Sequence, residues 1–63
     1  MDMTFKTTNG IAVVTPQTDE AKRYLKGRYD VAEGRAVAMN EEMLMPFSVQ
    51  AMAAGLNLQA EGA

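Results

Sequence analysis

The chain has 63 residues, with six Lys and Arg against eight Asp and Glu, a pI near 4.8, and no His, Cys or Trp. The missing residue types exclude a disulfide framework, a thiolate nucleophile, a thiol zinc site and a histidine base, while a net charge of -2 gives no global attraction to nucleic acid or an anionic membrane. One domain is the most this length allows, and with ten Ala and six Met among its apolar residues the core is thin enough to favour recruiting a second chain.

Thr4 to Thr8, Asn9-Gly10 and Ile11 to Thr15 read as a β-hairpin, because Asn-Gly supplies the positive φ angles of a two-residue type I′ turn. Counting outward pairs Thr8 with Ile11, Thr7 with Ala12, Lys6 with Val13 and Phe5 with Val14, and puts Phe5, Ala12 and Val14 on one face. Ile11-Ala12-Val13-Val14 is apolar on both faces, which suits an interior strand, whereas the first strand, with Lys6 and three threonines, suits an edge.

Pro16 ends the second strand, and Thr18 followed by Asp19 and Glu20 reads as a helix N-cap with acids at the positive end of the dipole. Ala21, Tyr24 and Leu25 form an inward stripe, Asp19 and Arg23 an i,i+4 ion pair, and Gly27 a C′ residue closing a helix of about two turns. Residues 29 to 34 are turn-like, and 35 to 39 suit either a third strand or the approach to a second helix. Asn40 before Glu41-Glu42 is a second N-cap signal. Pro46 then requires either a kink or a turn over 41 to 45 that gives way to a helix beginning at the proline. Phe47, Gln50, Ala51 and Ala54 mark one face, Gly55 closes the helix with Leu56 behind it, and residues 56 to 59 suit a last short strand.

The expected fold is α+β: one domain over residues 1–59 with the hairpin, one or two further short strands and two helices packed on the sheet, and a loose tail over 60–63. The N-terminus shows no basic region leading into an apolar stretch, and no eighteen apolar residues run together, so a soluble cytoplasmic protein is expected, with no membrane and no metal among its partners.

Catalysis finds no residues to carry it. Ser48 is the only serine and has no histidine to take its proton, Glu41 and Glu42 are adjacent and point apart, and the five glycines form no phosphate loop. No cofactor is implied. Gln50 to Gly55 holds the Ala-x-x-x-Gly spacing of a helix-turn-helix step, but Leu56 to Ala63 is too short and too acidic for a recognition helix.

Two surfaces remain. Met43, Met45 and Met52, with Phe47, concentrate soft apolar side chains in one segment, and such side chains adapt to docked partners. These four are the expected partner-binding residues of a small non-catalytic interaction module that binds a protein partner and self-associates, most simply as a homodimer. The size and the lack of catalytic residues are compatible with short accessory or inhibitory proteins of phages and mobile elements. The alternative is a nucleic-acid-associated accessory protein, using Lys22, Arg23, Lys26 and Arg28 on phosphates with Tyr29 stacking on a base. Residues 1 to 29 carry five basic and three acidic side chains, residues 30 to 63 one and five.

Overall fold

Asn9 and Gly10 take φ of 53° and 80°, the pair of left-handed residues a type I′ turn demands, and close β1 (Met3–Thr8) against β2 (Ile11–Pro16). The pairing runs from Thr8 with Ile11 to Met3 with Pro16, in the register expected from the turn. The computed structural model describes residues 1–62 and continues with α1 (Asp19–Tyr29), β3 (Val37–Asn40), a 3₁₀ turn (Glu41–Met43), α2 (Leu44–Ala53) and β4 (Leu58–Ala60). The fold is α+β. The four strands lie in the order β3-β2-β1-β4, with β3 antiparallel to β2 and β4 parallel to β1. β2 is interior, as expected. β1 is interior too, and the edge expected there is corrected: β4 returns along its outer side, so β3 and β4 form the edges.

Both helices pack on one face of the sheet. Met3, Val14 and Val37 from the strands meet Ala21 and Leu25 of α1, Phe47 and Ala51 of α2, and Leu56 beyond it. No buried polar or charged side chain lies among the described residues, so the interior is held by apolar burial, about 25 cal/mol per Å² removed from water. Ile11 and Val13 stay exposed on the opposite face, where no layer covers them among the described residues.

Thr18 caps α1 as its sequence position demands: its Oγ accepts from the Ala21 N–H at 3.2 Å. The Asp2 carboxylate ties this cap to the segment that leads into β4. One oxygen lies 3.5 Å from the Thr18 hydroxyl, and the other accepts from the Asn57 N–H at 3.0 Å. Thr18→Ala is expected to lower stability by about 1 kcal/mol, read as a fall in the urea midpoint at unchanged slope.

The end of α1 differs from expectation. Gly27 is not the C′ residue; the helix runs on to Tyr29 and stops at Asp30, whose φ of 55° and N–H bond to the Lys26 carbonyl close it. The extra residues bring Tyr29 onto Phe47, with ring centroids 6.0 Å apart, a contact that offsets the roughly 1 kcal/mol a mid-helix glycine costs. Asp19 pairs with Lys22 at 3.7 Å and not with Arg23.

Glu33-Gly34 makes a turn closed by the Arg35 N–H on the Ala32 carbonyl, and the chain then enters β3. Asn40 flanks the 3₁₀ turn but makes no side-chain cap bond. The change from 3₁₀ to α ahead of Leu44 leaves Pro46 inside the first turn of α2, where its missing N–H takes nothing from the helix. α2 ends in a Schellman motif: Gly55, at φ 85°, donates to the Met52 carbonyl and Leu56 to that of Ala51. Of the face expected to turn inward, Phe47 and Ala51 are buried, while Gln50 and Ala54 are exposed. β4 takes in Ala60, and the Glu61 N–H donates to the Phe5 carbonyl at 2.7 Å; of the tail expected over 60–63, Ala63 lies outside the described residues.

Candidate functional site

α2 carries no charged residue; its sequence is Leu-Met-Pro-Phe-Ser-Val-Gln-Ala-Met-Ala. Phe47 and Ala51 use one side of it for the core. Met45, Val49 and Met52 follow one another at i, i+4 and i+7, a stripe on the side turned away from Phe47, and are 76%, 63% and 66% exposed. A helix apolar on all sides is ordinarily covered on all sides. Here one side is open.

The stripe continues into a groove of about 300 Å³ between α2 and the β1–β4 side of the sheet, lined by Phe5, Glu41, Leu44, Met45, Ser48 and Leu58. Met45 belongs to both features. The groove is open to solvent, and Glu41 and Ser48 are its only polar side chains. It offers shape and apolar contact to a docking side chain, and no charge pair or buried donor of the kind that fixes a polar substrate.

The structure separates the methionines by role. Met45 and Met52 lie on the open face, and Met43, 51% exposed, lies round the helix beside a cleft of about 190 Å³ shared with Arg28, Tyr29, Met39, Pro46, Phe47 and Gln50. Phe47, expected among the docking residues, is only 3% exposed. It is corrected to a core residue: Tyr24 and Tyr29 close over it, at 6.3 and 6.0 Å between ring centroids. Val49 was missed because a lone valine at a helical position carries no pattern until Phe47 fixes which side is buried.

Comparison of the chain with protein-family models, with curated proteins and with solved structures found no match.

The basic segment forms no unbroken positive face. Lys22, Arg23 and Lys26 share the solvent side of α1 with Asp19 and Glu20, and Lys22 is paired to Asp19. Tyr29 is half-buried against Phe47. The Arg28 guanidinium carbon lies 5.6 Å over the Tyr29 ring, and its Nε donates to the Tyr29 hydroxyl at 3.2 Å. That hydrogen bond is the main reason the Arg28 pKa rises above its ordinary value. The ring expected to stack on a base already contacts Phe47 and Arg28. Among the described residues no group of three or more Asp or Glu side chains is placed to hold a metal ion, and no helix is long and apolar enough to cross a membrane.

Proposed function

We propose that this protein is a small non-catalytic interaction module that docks a protein partner through the outer face of α2 and also self-associates. The observation that carries the docking reading is the stripe of Met45, Val49 and Met52, exposed on a helix without a single charge. Burying large apolar side chains of this kind contributes roughly 1.5–3 kcal/mol each, and unbranched Met side chains adjust to the partner's surface. The nearest charged residues preceding the helix are Glu41 and Glu42, which disfavours an anionic lipid surface as the occupant. Self-association is supported by the same shortage of core that the composition shows.

The test is capture of a partner by tagged wild-type chain and by the Met45→Lys/Met52→Lys double variant, each with and without nuclease. Both substituted positions are exposed, so the variant keeps its fold, checked by circular dichroism. The expected result is a stoichiometric protein, resistant to nuclease, that the variant loses. Retention by the variant, or loss on nuclease treatment together with sensitivity to Lys22→Glu/Arg23→Glu, overturns the reading and moves the site to α1.

A further inference from the structure

We infer that a second copy of this chain pairs with the open edge of β3, antiparallel about a two-fold axis at Ala38, joining two four-stranded sheets into one. The inference rests on the proposal that the protein self-associates and names the surface that does it.

The direction of the free backbone groups follows from one bond. The Glu41 N–H donates to the Gly10 carbonyl at 2.8 Å, and these two residues continue the β2–β3 register of Ile11 with Asn40. Hydrogen-bonded pairs alternate along an antiparallel ladder, so Ala12–Met39 and Val14–Val37 are the bonded pairs and Ala38 and Asn40 turn their N–H and C=O groups away from the sheet. Both residues are exposed. The edge lacks two of the usual protections: Val-Ala-Met-Asn contains no charge and no proline.

The edge is also self-complementary. With Ala38 opposite the second copy's Ala38, the bonded pair within β3 is Ala38–Ala38, and extending the pairing by the one residue ahead of the strand adds Ala36–Asn40 in both directions, about six backbone hydrogen bonds in all. Between them fall the closer, non-bonded pairs. Val37 meets Met39, extending the apolar face that carries the core, and the same register brings Arg35, two residues ahead of β3, toward Glu41, the first residue of the 3₁₀ turn, at both ends. Arg35 and Glu41 are exposed and make no ion pair among the described residues. Opposite charges directly across a strand pair are favourable and like charges are not, so the register that pairs the backbone also pairs the charges. β4, the other edge, is three residues long and offers fewer outward groups.

Sedimentation equilibrium on the full chain tests this. Wild type is expected to be a concentration-dependent dimer. Ala38→Pro removes an N–H that faces outward and takes no bond from β2, a place where an edge strand accepts proline; it is expected to be monomeric with an unchanged circular dichroism spectrum. Arg35→Glu is expected to raise the dimer dissociation constant about tenfold or more, and Arg35→Glu/Glu41→Arg to restore it, which separates pairing from folding should the proline variant not fold. A chain monomeric at millimolar concentration overturns self-association and this inference together. A dimer that survives Ala38→Pro and Arg35→Glu but is lost with Met45→Lys overturns the β3 assignment alone and gives self-association to α2.

Discussion

Phe47→Ala is expected to unfold most of the protein. A buried phenylalanine cut to alanine costs about 3–5 kcal/mol, as lost transfer energy plus the cavity left behind. A domain of this size holds about 0.05–0.15 kcal/mol per residue in total, so the loss is comparable to the whole. Phe47 is also the point where the layers join: Tyr24 and Tyr29 of α1 rest on its ring, and it shares the core with Met3, Val14 and Val37 of the sheet. Without it, Ala51 is the one buried side chain that α2 has left among the described residues. Loss of the folded baseline in a urea titration followed by circular dichroism checks this, and an unchanged midpoint would remove Phe47 from the core.

The second large effect is a contrast between methionines. Met3 is fully buried in β1, its N–H bonded to the Asn57 carbonyl at 3.1 Å and its position paired with Pro16 on one side and Leu58 on the other. Met3→Ala is expected to cost about 2–5 kcal/mol. Met45→Ala and Met52→Ala, on exposed positions of α2, are expected to stay within about 0.5 kcal/mol of wild type. Urea midpoints for the three variants decide it. Large losses at Met45 or Met52 would mean that the outer face of α2 serves folding and is not held open for a partner.

Much of the fold was legible where local chemistry decides structure. Asn9-Gly10 admits one tight turn, and that turn dictates every pair of the hairpin. Thr18 and Gly55 act where their side chain, or lack of one, is required. The sequence was opaque where distant residues decide. Gly27 is a fair local stop signal, but the helix outlasts it because Tyr29 finds Phe47, eighteen residues on. β1 read as an edge because its own Lys6 and three threonines suit one, and although residues 56 to 59 suit a short strand, nothing local shows that it returns to pair in parallel with β1 from the other end of the chain. Pro46 left two helix starts open, and the 3₁₀ turn ahead of it resolved them.

The site was legible in part for the same reason. The abundance of Met43, Met45 and Met52 marks the segment, but composition does not tell the two sides of a helix apart. Phe47 and Val49 exchange places once the core is known: the aromatic residue turns inward, and the valine turns out between the two methionines. The basic run from Lys22 to Tyr29 looks continuous on paper. Folding the segment as a helix sets its cations among Asp19 and Glu20 and lays Tyr29 on the core.

The central claim is that the open face of α2 is where a partner sits. Methyl-labelled methionine provides a probe at each of the relevant places: Met45 and Met52 on the stripe, Met43 beside it, and Met3 in the core. Spectra of the labelled chain, recorded alone and with the captured partner, are expected to show the Met45 and Met52 methyl signals shifting or broadening while Met3 stays in place. Unmoved Met45 and Met52 signals on a fully bound chain would contradict the account.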